Sequence, residues 1–184
     1  MAAAARGMGQ VLLRGGGRVL SRLARREDEA LTGQGVREFD RLFPGVKDIN
    51  PNFSSGGWGF QNNCQSCVVA TDHTLAGRPA QALERPLVAY HPAFDWPSSV
   101  TSTVGTGPLH RVADYAAIDQ EMLAAGDGAR GIVHGARTDA AGQYMSGHVF
   151  NVVNRDGVIH YIDGQTGDFA VKESFGWMEL IRTN

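Results

Sequence analysis

Cysteine is scarce in this chain. Of 184 residues only two are cysteines, Cys64 and Cys67. Two thiols that close together cannot make a disulfide framework. A structural zinc site takes four ligands. The six histidines, at 73, 91, 110, 134, 148 and 160, offer no closely spaced pair to complete one. No metal and no cofactor is therefore expected. Long apolar runs are also missing. None approaches the roughly 20 residues of a membrane-spanning helix, so no transmembrane segment is expected. A basic stripe is absent from the main body of the chain, which argues against a nucleic-acid partner. The net charge of −2 conceals an asymmetry: residues 1–26 hold six arginines and no acid, and the remainder carries eight more acids than bases. Glycine is plentiful, at 24 residues, so many turns are expected. The length suffices for one domain with a sizeable core.

The first 35 residues read as separate. Ala2 to Ala5 and Gly15 to Gly17 are low-complexity pieces, and Arg14, Arg18, Arg22 and Arg25/Arg26 recur at helical spacing among leucines and Val19. Such a start has the composition of an organelle transit peptide, or of a linker left from a longer parent chain. The plainer reading is a flexible or weakly helical leader. We divide the chain into a leader or linker, residues 1–45, and a domain, residues 46–184.

Beyond the leader, the spacing predicts a short helix over 34–42, then a loop through Asn50-Pro51-Asn52 and Ser54-Ser55-Gly56-Gly57, pinned by Trp58 and Phe60. A stronger helix signal covers 64–76. Asn62 and Asn63 offer N-cap side chains, no Gly or Pro intervenes, and Gly77 follows as a terminator. Cys64, Cys67/Val68, Thr71 and Leu75 form its apolar stripe. Five prolines break up residues 78–112, where short strands are expected at 87–90 and 100–104. A second helix is expected over 113–125, a short strand over 130–134, a Gly-rich loop over 135–147, and a last short helix over 174–181. No internal repeat is visible.

The most informative stretch is 147–165. Two runs rich in β-branched and aromatic residues, 149–153 and 158–162, flank Asn154-Arg155-Asp156-Gly157. Asp-Gly suits a tight turn, or a turn with a Gly bulge. Folding the arms together brings His148 near Asp163. Asp163 then stands opposite either Val149 or His148, depending on register. Helix early and strands late imply an α+β domain with a helix on an antiparallel sheet.

A histidine beside a carboxylate is half of a nucleophilic triad, and a thiol can supply the rest. The thiolate is the reactive form, and a helix start favours negative charge. Cys64 opens the helix, so it is the better nucleophile, with Cys67 a packed core thiol. If the helix begins later, the two exchange roles. Taken singly, a free cysteine is most often simply buried, and an Asp before Gly is usually a turn residue. The combination is what points to catalysis.

These residues resemble a known family. Asn63-Cys64-x-x-Cys67-Val68-Val69-Ala70, continuing through Leu75-Ala76-Gly77-Arg78-Pro79-Ala80, is similar to the papain-fold toxin domain of glutamine deamidase type found at the C-terminus of bacterial polymorphic toxins. Ile49-Asn50-Pro51, Arg130-Gly131-Ile132-Val133, the 147–153 strand and Ile162-Asp163-Gly164-Gln165-Thr166-Gly167 fit the same pattern in order. The resemblance spans roughly residues 46–170.

The resemblance implies a papain-like cysteine hydrolase fold with a Cys-His-Asp triad. By analogy Cys64 attacks a glutamine side-chain amide, His148 shuttles the proton and Asp163 holds the imidazole, leaving a thioester that water hydrolyses. Gln165, Gln61 and Asn63 are candidates for oxyanion or substrate contact. Papain proteases carry a Gln six residues before their nucleophile, and by that spacing Gln61 points to Cys67. The implied partners are a target protein bearing a reactive glutamine and a cognate immunity protein. The implied location is outside the producing cell: secretion or translocation as the tip of a larger toxin, with action in the target cytoplasm. Competing readings are a papain-like cysteine protease, a transglutaminase-type acyltransferase, and an interaction module without chemistry.

Overall fold

Strand β2 (Arg130–Thr138) lies near the middle of a six-stranded antiparallel sheet and explains how the rest is arranged. Its Ile132 packs with Val68, Val100, Val149 and Ile181 on one face, while its neighbour Val133 packs with Ile118, Met122, Phe150 and Leu180 on the other. Alternating side chains buried on both faces require a cover on each side. Fully burying one such side chain contributes about 1.5–3 kcal/mol, so both covers are well anchored. This computed structural model describes residues 34–35, 37–88 and 91–184. The Arg-rich start lies outside the described residues.

The other strands are β1 (His110–Val112), β3 (Tyr144–Arg155), β4 (Val158–Asp163), β5 (Asp168–Phe169) and β6 (Trp177–Arg182). The sheet order is β1-β6-β2-β3-β4-β5. Helices are α1 (Trp58–Gln61), α2 (Cys64–Leu75), α3 (Ser98–Thr101) and α4 (Tyr115–Ala124). Helix α4 covers one face through Ile118 and Met122. Helices α2 and α3 cover the other through Val68 and Val100. The expected α+β class, with a Cys-bearing helix on an antiparallel sheet, is what the chain adopts. The compact unit Phe43–Asn184 holds all these elements. Residues 34–35 and 37–42 are helical, within the expected 34–42 segment, and belong to the preceding unit.

Helix α2 ends as its sequence demands. Gly77 takes φ +76°, its N–H donates to Thr74 O at 3.0 Å, and Arg78 N–H donates to His73 O at 2.8 Å. This crossed pair satisfies carbonyls that the last turn would leave bare. Its start departs from expectation: Asn63 occupies the N-cap position, yet its side chain makes no capping bond. Helix α4 is capped conventionally, with Asp114 Oδ1 accepting from Ala117 N–H at 2.9 Å.

Several expectations are corrected. Residues 135–138 and 144–147 are not loop but the inner half of a second hairpin, since β2 and β3 pair from Arg130↔Val153 to Thr138↔Tyr144. Small residues there look like a loop, but Gly135 permits a close approach: a Cβ would run into the Phe175 ring. The C-terminal segment is strand β6, not a helix, seated between β1 and β2. Its alternation carried that signal: Met178 and Leu180 face one core, Ile181 the other. The strand expected at 100–104 is instead the end of α3 and the turn after it. Residues 87–88 form a bend, and 89–90 lie outside the described residues.

Candidate active site

The β3–β4 hairpin closes through Asp156 (φ 54°) and Gly157 (φ 79°), with Arg155 paired to Val158. Two central residues at positive φ make a two-residue type I′ turn without a bulge. The register then runs to Asn151↔Ile162. The next rung sets Asp163 level with Phe150, so neither register expected from the sequence is adopted. Positions 148 and 150 share a face, which puts Asp163 diagonally beside His148, within reach of both side chains. His148 Nε2 donates to Asp163 Oδ2 at 3.0 Å. Asp163 Oδ1 accepts the Gln165 backbone N–H at 2.9 Å.

Strand β4 ends at Asp163, so β3 has an open edge at His148. The start of α2 arrives there. Cys64, the first residue of the helix, is half-buried and borders the same cleft as His148, near enough for its sulfur to act on the imidazole. Burial alone would lower the His148 pKa. Hydrogen bonds to Asp163 and Cys64, and the charges of both, outweigh it and push the value up to about 10. The imidazolium is thus held between a carboxylate and a sulfur.

Cys67 lies one turn further along and is 1% exposed. Its Sγ donates to Asn63 Oδ1 at 3.3 Å. Burial, with the nearby charges of Cys64 and Asp163, pushes this thiol well above the ordinary range. It does not line the cleft.

The cleft encloses about 450 Å³ and is bordered by Gln61, Cys64, Arg137, His148, Asp163 and Gln165, among others. Gln61 therefore borders the cleft with Cys64, three residues on, rather than with Cys67. Gln165 reaches the cleft, but its amide nitrogen donates to Asn63 Oδ1 at 3.3 Å. Asn63 is fully buried and is not among the residues lining the cleft. The geometry thus gathers Cys64, His148, Asp163, Gln61 and Gln165, and leaves Cys67 and Asn63 behind the wall.

Sequence reasoning missed three charged residues of the cleft. Arg137 forms a two-pronged pair with Glu173, Nε to Oε2 at 2.9 Å and Nη2 to Oε1 at 2.7 Å. Arg137 holds the Glu173 carboxyl below its usual range. Arg85 sits over the Trp58 and Phe94 rings, 5.9 and 5.7 Å from their centroids. Period-2 reading of 130–138 as one long strand would have placed Arg137; nothing local marks Glu173 or Arg85. Among the described residues, no group of three or more His, Cys, Asp or Glu could hold a metal ion. No helix among them is long and apolar enough to cross a membrane.

A helix that begins with cysteine, set on an antiparallel sheet that supplies a histidine and a carboxylate, defines a papain-like fold. The family described as papain fold toxin 1, glutamine deamidase, matches residues 62–168, more than half of the chain, and the protein belongs to it. It is accordingly a toxin-family domain of hydrolase type. Two solved structures are similar to it. The Salmonella effector SpvD, G161 variant, is 13% identical with a TM-score of 0.46, over 66% of this chain and 68% of that one. The R161 variant of the same Salmonella effector is 11% identical with a TM-score of 0.43, over 76% and 77%. No curated protein matches the sequence.

Proposed function

We propose that this domain deamidates a glutamine side chain of a target protein, with Cys64 as nucleophile, His148 as proton shuttle and Asp163 as the group that orients the imidazole. The single observation that supports this most is the His148–Asp163 pair, 3.0 Å apart, on the same cleft as Cys64. Imidazolium next to sulfur supplies the countercharge for a thiolate. The sulfur adds to the side-chain carbonyl carbon, and His148 gives its proton to the departing ammonia. A thioester remains. Water, deprotonated by His148, attacks it and releases glutamate and the free thiol.

The oxyanion formed on the way needs donors. Gln61 is the better side chain for this role, because the Gln165 amide is engaged by Asn63. The first N–H groups of α2, which have no partner within the helix, face the same end. Cys67, buried and hydrogen-bonded, is the weaker alternative nucleophile.

Replacing a neutral amide by a carboxylate can lock a regulatory protein, which suits a toxin or effector. Residues 1–45 then serve as leader or linker to a larger secreted or translocated protein acting in a target cytoplasm, where a cognate immunity protein would block the cleft. Intact mass spectrometry of a candidate target tests the reaction. The expected result is a gain of about 1 Da with ammonia release, lost with Cys64→Ala and kept with Cys67→Ala. Cleaved peptide bonds would indicate a protease, and amine incorporation a transglutaminase; either outcome overturns the deamidase assignment.

A further inference from the structure

Behind the cleft wall lies a cluster of three side-chain amides, from Asn50, Asn63 and Gln165, all buried. Asn50 Nδ2 donates to Phe60 O at 2.9 Å, Gln165 O at 3.1 Å and Asn63 Oδ1 at 3.2 Å. Asn63 Nδ2 donates back to Asn50 Oδ1 at 3.2 Å and to Leu83 O at 3.1 Å. Asn63 Oδ1 also accepts from Gln165 Nε2 and Cys67 Sγ, both at 3.3 Å. Each asparagine's orientation is forced. Phe60 O, Gln165 O and Leu83 O are carbonyls that can only accept, so the NH2 ends must face them.

The position of this cluster gives it meaning. Asn63 immediately precedes Cys64. Gln165 is two residues past Asp163, and its N–H holds Asp163 Oδ1. Hydrogen bonds run from His148 to Asp163, Gln165, Asn50 and Asn63, and Asn63 adjoins Cys64 along the chain. Besides the reacting groups themselves, these amides and the packing of Gly164 on α2 tie the nucleophile's segment to the carboxylate's segment. Within the cluster, Asn50 reaches Phe60 and Asn63 on one side and Gln165 on the other.

We propose that Asn50 is a positioning residue, which sets the start of α2 against the 163–165 turn and thereby fixes the Cys64–His148 distance. It is not among the residues lining the cleft and touches no reacting atom. An unsatisfied buried carbonyl costs more than the bond it loses, so truncating Asn50 drives Phe60 O and Gln165 O toward other donors and lets the two segments separate. A displacement of about 1 Å in a reacting pair can cost on the order of 10²-fold in rate.

The proposal rests on the triad assignment, and the test separates the two. Iodoacetamide labelling of the full chain is followed against pH, with fragment-ion mass spectrometry resolving Cys64 from Cys67. Wild type should label selectively at Cys64 near pH 6, and His148→Ala should abolish that selectivity. If wild type shows no such selectivity, the triad assignment fails, and Asn50 with it. Given that selectivity, Asn50→Ala should slow Cys64 labelling near pH 6 by about tenfold or more, yet leave it within a few fold near pH 9.5, above the ordinary thiol pKa of about 8.5. With a target in hand, kcat should fall while KM holds. A scaffold role alone would lower the melting temperature and leave the labelling profile of the folded molecules on that of wild type. That overlap overturns the proposal while the triad stands. If Asn50→Ala does not fold, Asn50→Ser carries the test, since a hydroxyl keeps one buried donor but cannot reach both Phe60 O and Gln165 O. It should slow labelling near pH 6 by a few fold, and coincidence with wild type again overturns the proposal.

Discussion

Protonation of His148 couples the cleft to the stability of the whole fold. The imidazole is 17% exposed and is held as imidazolium up to about pH 10, against an ordinary value of 6.5. Between those two values the folded chain binds a proton that the unfolded chain has released. Stability therefore falls as pH rises through this window. The contribution is whole below about 6.5 and is lost by about 10. Each tenfold gain in proton affinity on folding is worth about 1.4 kcal/mol, so the ceiling is about 5 kcal/mol. That is comparable with the ~5–15 kcal/mol net stability of a typical domain.

Guanidinium unfolding at closely spaced pH values should show the decline in wild type, and His148→Gln should remove most of it. Asp163 raises the His148 pKa more than Cys64 does. Asp163→Asn should accordingly flatten the profile more than Cys64→Ser. Wild-type and His148→Gln curves that run parallel from pH 6.5 to 10 would refute the linkage.

Three further outcomes are expected. Gly164 packs on α2 so closely that a Cβ would strike Thr71 Oγ1 and lie 3.3 Å from Cys67 O; Gly164→Ala should cost about 1–3 kcal/mol, and an unchanged calorimetric melting temperature would contradict that packing. Cys67→Ala should cost about 1 kcal/mol through a small void and leave Cys64 labelling near pH 6 within a few fold, whereas selective labelling that followed Cys67 would reverse the assignment of the two thiols. Two ion pairs should behave oppositely. The Asp72 carboxylate, 3% exposed, is held by Arg130 Nε at 3.0 Å and Thr183 Oγ1 at 2.6 Å, so Arg130→Met should cost about 3–5 kcal/mol. The Arg137–Glu173 pair is about 40% exposed, so Glu173→Gln should cost less than about 1 kcal/mol. Denaturant midpoints distinguish the two.

Some of this was legible in the chain because local chemistry dictated it. The 64–75 helix had an uninterrupted apolar stripe and a Gly terminator. Asp-Gly between β-branched runs could only be a turn. Ile118 and Met122 on one face, closed off by Gly126-Asp127-Gly128, marked α4 well. Other features lacked a local cause. Residues 135–147 are small and flexible in composition, and only the neighbours of β2 on both sides make them strand. Trp177 to Arg182 resembles a helix by propensity, yet its alternation serves two cores at once. The register of Asp163 depended on whether the turn took two residues or carried a bulge, a choice settled by twist rather than composition. Asn63 looked like a cap, and its side chain is instead drawn into the amide cluster by Asn50, Leu83 and Gln165, from remote segments. Arg137, Glu173 and Arg85 converge on the cleft from three separate segments, which no spacing rule anticipates.

The amide cluster joins residues as far apart as 50 and 165, and Cys64 shares its cleft with an imidazole 84 positions downstream. On the proposed assignment, the grouping of Cys64, His148 and Asp163 therefore depends on long-range closure and does not survive in an extended polymer. Drawn through a narrow pore, this chain carries an ordinary free sulfhydryl and nothing more. Potency returns only when the last tertiary contact has closed, so hydrolytic competence and cooperative refolding share one timescale.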